Sequence, residues 1–286
     1  MSNEPWYVRF ARFFGWRAYA IPVLAVISVW VIVDAFTGVS DETAQRDGAA
    51  ETLSTQLAAG PDPMDQEQLN TQLNQLPEGA DFARSGTGEY RTIGQPGAQA
   101  GKGTEKVVRY VIKVEEGVDT SSLGGDDALA RMIDATLTNP AGWTHDERFR
   151  FEHVAADDDP TMHIQLTSVD TTHETCGADL DMETSCFYGD GNRVVINHAR
   201  WVRGATPFQG DIGSYRQYVI NHEVGHGLGY AKHQPCGGDD ELAPVMMQQT
   251  LSLNNQDLHT IDPREVYPDA DETCRYNAWP YPRVTS

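Results

Sequence analysis

Positive charge is what this chain has least of. Lysine and arginine together number 21 against 42 aspartates and glutamates, giving a formal net charge of −21 and an isoelectric point near 4.6. The basic surface that neutralises phosphates is missing, which argues against nucleic acid as a partner. The acidic runs at 157–159 and 239–241 lack the alternating Asp-x-Asp-x-Asp-Gly pattern of a calcium loop and read as solvated surface. No internal repeat is present. Cysteines number four, and none falls in a C-x-x-C pair, so the sequence gives no sign of a thiolate metal site.

Long apolar runs are also scarce, with one exception near the N-terminus. Residues 18–33 (AYAIPVLAVISVWVIV) carry no charge and follow Arg9, Arg12 and Arg17. Extended to Phe36, with Trp16 and Trp30 at the interfaces and Arg17 and Asp34 snorkelling, the run makes a workable transmembrane helix. The arginines would hold the short N-terminal side in the cytoplasm and export the rest. Gly38 and Ser40 leave a cleaved signal peptide as the alternative, but no A-x-A site follows, and an uncleaved anchor is the reading adopted. All four cysteines, Cys176, Cys186, Cys236 and Cys274, fall on the exported side, where an even number suggests disulfides. The most local of the three possible pairings joins Cys176 to Cys186 and Cys236 to Cys274.

With 40% hydrophobic residues in 286, the remainder suits one sizeable domain with accessory segments. The expected organisation is a cytoplasmic stub at 1–17, an anchor at 18–36, a linker rich in Gly, Gln, Ala, Thr and Pro at 37–105, and a folded domain at 106–286. The later part of the linker, residues 82–94, is a candidate strand. Within the domain, residues 106–117 form a β-rich run, and 126–137 place Leu129, Met132, Ile133 and Leu137 at helical spacing. Strands are expected at 148–154 and 162–168, then a hairpin at 185–197 turning at Asp190-Gly191.

A helix follows over YRQYVINHEVGHGLG at 215–229, and the stretch from Tyr218 runs on beyond it to His233 as YVINHEVGHGLGYAKH. Residues four apart share a helix face, so His222 and His226 can offer two imidazoles to one ion, with Glu223 flanking them as a proton acceptor. This is the HExxH zinc signature. Gly229 lies where a helix ends in a left-handed residue, after which the chain can deliver a third ligand from outside. His233 is the candidate donor. It stands one residue later than the extended signature HExxHxxGxxH requires, because that position holds Lys232. A loop absorbs one added residue; within a helix the donor would rotate by about 100°. Gly225 and Gly227 weaken the helix by roughly 1 kcal/mol each, which suggests close approach of a neighbouring element.

Downstream, APVMMQQT at 243–250 places Met246 and Met247 beyond the third histidine. Together, the HExxH helix, the glycine, His233 and this stretch resemble the metzincin clan of zinc metalloproteases, whose Met-turn lies beneath the zinc ligands. The likeness is to the uncharacterised metzincin-like domains of membrane-anchored bacterial envelope proteins, and it covers residues 106 to about 250. It implies an α+β zincin domain, with a twisted mixed sheet of about five strands packed on two helices. It also implies zinc (Zn2+) held by His222, His226 and His233, Glu223 as general base, and a Met-turn at Met246 and Met247. The strand at Ser185, Cys186, Phe187 and Tyr188 corresponds to the edge strand that pairs with substrate. The partner would be a peptide or protein of the cell envelope. The chain departs from the clan in the extra residue before His233 and in having no tyrosine directly after the Met-turn. The alternative function is a non-catalytic, zinc-containing exported binding module.

Overall fold

The computed structural model describes residues 75–177 and 183–283. The expected stub, the anchor and residues 37–74 of the linker lie outside these residues. Among the described residues no helix is long and apolar enough to cross a membrane.

The fold is α+β. Strand β3 (Lys106–Glu115) is its spine, and burial of the consecutive residues Tyr110, Val111 and Ile112 shows that both its faces are covered. Around it the seven-stranded mixed sheet runs β2 (Gln99–Gly101), β4 (Phe149–His153), β3, β5 (Met162–Thr167), β7 (Arg193–Asn197), β6 (Cys186–Tyr188). Strand β1 (Tyr90–Ile93) pairs antiparallel with the second half of β3. Strands β4, β5 and β7 run parallel to β3, whereas β6 turns back antiparallel and forms an edge.

Among the described residues five α-helices accompany the sheet: α1 (Gly125–Leu137), α2 (Val169–Cys176), α3 (His198–Arg203), α4 (Ile212–Leu228) and α5 (Asn255–Ile261). Alternate residues of the central strands form one apolar layer, Tyr110, Ile112 and Val114 beside Ile164, Leu166, Val194 and Ile196. Leu129, Ile133 and Leu137 of α1 and Tyr218, Val219 and Ile220 of α4 close over it. Each such aliphatic contributes roughly 1.5–3 kcal/mol relative to exposure.

The sheet thus has two strands more than the expected five, and three short helices join the expected two. Folded structure also begins upstream of residue 106. Strand β2, Gln-Ala-Gly, has no β-branched residue to announce it and is held by pairing with β4. Three polar contacts fasten the upstream segment. Arg91 donates two bonds to the Asp126 carboxylate, at 2.9 and 3.0 Å. The Gly88 amide donates to the side chain of Glu115, and the Ala83 amide donates to Nδ1 of His198 at 2.9 Å. The cysteines pair as their local spacing suggests, Cys176 with Cys186 and Cys236 with Cys274.

His198 has to stay neutral to accept the Ala83 bond. Burial, opposed by Asp119 and reinforced by Arg216, pushes its pKa down from 6.5 to about 4. The unfolded chain therefore binds this proton first, and the stability linked to it is complete above pH 6.5 and lost as pH falls toward 4. The expected loss between pH 7 and pH 4.5 is about 2–3 kcal/mol. Urea unfolding of wild type and His198→Asn, which keeps an acceptor without titrating, should show a correspondingly shallower pH dependence in the variant.

Candidate metal centre

Helix α4 starts at Asp211, whose carboxylate accepts the Ser214 amide at 3.0 Å. It ends at Gly229 with φ of 108°, a left-handed turn that favours glycine. The bend returns the chain over the helix end, so the Tyr230 amide donates to the Gly225 carbonyl at 3.0 Å. The next residues resolve the spacing. Lys232 is exposed, whereas the ring of His233 turns inward to meet His222 and His226. The added residue is thus accommodated in the loop.

One ring nitrogen of each histidine lies within 4.8 Å of its counterparts on the other two. Ring centroids are separated by 4.8 Å (His222 to His226), 5.2 Å (His226 to His233) and 5.5 Å (His222 to His233). Every Nδ1 has an acceptor outside the cluster: the Val245 carbonyl at 2.8 Å for His222, the Tyr230 carbonyl at 2.9 Å for His226, and a Glu265 carboxylate oxygen at 3.1 Å for His233. These acceptors assign the proton to Nδ1 and leave each Nε2 as an acceptor; that of His233 takes the Gln248 side-chain amide at 3.3 Å, a bond that a bound ion would replace. Burial and then the other histidines hold the pKa of His222 well below its ordinary value. His226 is lowered by burial and by His233. Neutral imidazole is the ligating form, so the residues fit a divalent metal ion in chemistry, tautomer and placement.

Glu223 lies 5% exposed on the same helix. Burial raises its carboxyl pKa to about 8, against the pull of a backbone hydrogen bond from Phe187 in β6. Edge strand and carboxylate therefore adjoin. Phe187 also packs beside Gly227, where a Cβ would come within 3.0 Å of its ring and 2.6 Å of Met162. Of the four residues expected in the edge strand, Cys186, Phe187 and Tyr188 form β6, whereas Ser185 precedes it and accepts the Asn197 amide.

The two methionines separate. A Cβ on Gly225 would lie 2.5 Å from the Met246 sulfur, so Met246 is pressed against α4 between the two ligand histidines. Met247 instead joins a small cluster with Leu251, Leu258, Tyr267 and the Cys236–Cys274 disulfide. Its carbonyl accepts the Tyr218 hydroxyl at 2.8 Å. The contacts of Gly225 and Gly227 account for two glycines inside a helix.

Sequence reasoning missed the outer partners. The carbonyls of Val245 and Tyr230 carry no side-chain signal. Glu265 is distant in the chain, and only the Cys236–Cys274 pair indicates that its segment folds back. Tyr267, also missed, sets its ring near-parallel to His233 at 6.4 Å and accepts the Gln248 amide at 2.9 Å.

A family model covers residues 76–282, and the chain belongs to that family, described as a protein of unknown function (DUF3152). No curated protein and no solved structure matches it. The family span begins close to where the described fold begins, upstream of residue 106.

Because His233 and not Lys232 faces the other imidazoles, His233→Ala should weaken binding of a divalent ion by at least about 100-fold, more than loss of an outer partner costs. Lys232→Ala should leave affinity unchanged, as read by chelator competition on the full chain.

Proposed function

We propose that this protein is a zinc-dependent endopeptidase with a metzincin-like catalytic domain, anchored by its N-terminal apolar segment and acting outside the cytoplasmic membrane. The observation that carries the reading is a buried carboxylate, Glu223, next to His222 on the helix that carries two of three converging neutral imidazoles. Burying a carboxylate without a cationic side chain costs stability, and a purely structural metal site has no use for one. Three neutral imidazoles are a donor set that suits zinc.

A zinc ion in this site would leave one coordination position for water, lower that water's pKa and polarise a substrate carbonyl. The chain's own residues do the rest. Nδ1 hydrogen bonds fix the three rings, so the ligands need not reorganise when substrate binds. Glu223 takes the proton as water attacks and delivers it to the leaving amine. Its pKa, raised by burial, makes it the stronger base, and the positive charge of a bound ion would bring it back down. Strand β6 is hydrogen-bonded to β7 along one side, and an extended peptide adding along the other would bring its backbone past Glu223. Substrate recognition then rests on main-chain pairing, consistent with a peptide or protein of the cell envelope.

Glu223→Gln keeps the volume and removes the base. Incubated with a proteome-derived peptide library, wild type should generate new N-termini, lose this activity on chelation and regain it with zinc. The variant should bind zinc equally well and cleave about 10²–10⁴-fold more slowly. Equal cleavage by both proteins would remove Glu223 from the mechanism; cleavage by neither, with zinc bound in both, would favour a non-catalytic binding module.

A further inference from the structure

Two of the three ligand histidines belong to α4, whose hydrogen-bonded backbone fixes where their rings start. His233 has no such support. It hangs on the loop after Gly229, one residue longer than the extended zinc signature, and a loop ligand costs more order to hold in place. The outer contacts differ in the same sense. His222 and His226 rest on neutral backbone carbonyls, whereas His233 donates to a carboxylate.

We infer that Glu265 is a positioning residue: with Tyr267 it clamps the His233 imidazole from the segment after α5 and sets the affinity of the metal centre. Three contacts from this short segment converge. The Glu265 carboxylate takes the Nδ1 proton of His233 at 3.1 Å. The Tyr267 ring lies 6.4 Å from the His233 ring and 19° from parallel with it. The Tyr267 hydroxyl accepts the Gln248 amide, which fastens the segment to the Met-turn. Behind it, Tyr267 packs with Met247, Leu258 and the Cys236–Cys274 disulfide, so the clamp has a rigid base. A carboxylate at Nδ1 selects the tautomer with a free Nε2 lone pair, fixes the ring plane and increases the electron density offered to the ion. A backbone carbonyl does the first two and less of the third. Glu265 touches no reacting atom in this account.

The proposal rests on the three-histidine metal centre but not on hydrolysis, and its test reads metal binding. Metal-free full-length wild type, Glu265→Ala and Glu265→Gln are titrated with zinc against a chromophoric chelator. The same proteins loaded with cobalt are read by visible absorption, and each metal-free form is melted. Glu265→Ala should bind zinc about 10–100-fold more weakly and alter the cobalt bands. Glu265→Gln, which keeps an oxygen acceptor without charge, should recover part of the loss, and metal-free melting should be unchanged in both. If the alanine variant fails to fold, a loss of more than threefold in Glu265→Gln supports the clamp. Zinc affinity within twofold of wild type in a folded Glu265→Ala, or in Glu265→Gln where the alanine variant is lost, overturns it. So does an affinity loss matched by lower metal-free stability, which would make Glu265 a general structural support. A wild type that binds no zinc would overturn the metal centre and the clamp together, whereas zinc binding without peptide cleavage would overturn only the hydrolytic reading.

Discussion

Three imidazoles can share one ion only if each is neutral and each turns an unprotonated nitrogen toward it. Here that requirement is met by acceptors at Nδ1 from three separate parts of the chain: the turn at 243–250 through Val245, the helix-ending bend through Tyr230, and the segment after α5 through Glu265. Much of the local architecture can be traced to placing those acceptors. Gly229 permits the bend that brings the Tyr230 carbonyl back over α4. Gly225 lets Met246 close against the helix, which brings the Val245 carbonyl up to His222. The small core around the Cys236–Cys274 disulfide holds the segment that carries Glu265. In the chain-entropy view, a cross-link closing a loop of 38 residues stabilises such a module by about 4 kcal/mol.

The sheet and α1 play a different part. They bury one face of α4 and so fix the helix that carries two ligands and Glu223, while the edge strand β6 meets the same helix from the side. The rigid frame therefore presents two ligands and the carboxylate, and the C-terminal module supplies the third ligand's support. This division explains why one added residue before His233 does not disturb the site. The loop that lengthened lies outside the frame, and its end is held by groups that approach independently of the helix.

What could be read from the sequence follows the same line. The candidate ligands His222 and His226, the neighbouring Glu223 and the capping Gly229 were legible because helix geometry turns spacing directly into position. His233 was legible only as the nearest donor beyond a lysine unsuited to the role. The strands at 149–153 and 162–167, and the 186–197 hairpin, announced themselves by short apolar and aromatic runs and an Asp-Gly turn. Helices α2, α3 and α5 span six to eight residues, too short for a 3.6-residue period to register. Strand β2 exists because β4 had an unpaired edge, and no property of Gln-Ala-Gly predicts it. Residues 75–105 read as linker because they are poor in apolar residues, yet polar anchors at Ala83, Gly88 and Arg91 join them to the domain. Glu265 left no mark in spacing, since its pairing with His233 is purely tertiary.

The proposed centre is a single ion held by three histidines with one position open. X-ray absorption at the zinc edge, recorded on the zinc-loaded full-length protein, addresses that claim directly. It predicts three imidazole nitrogens and one light oxygen donor at about 2.0–2.1 Å, in a four-coordinate shell. A fourth protein nitrogen, a sulfur donor or a six-oxygen shell would contradict it.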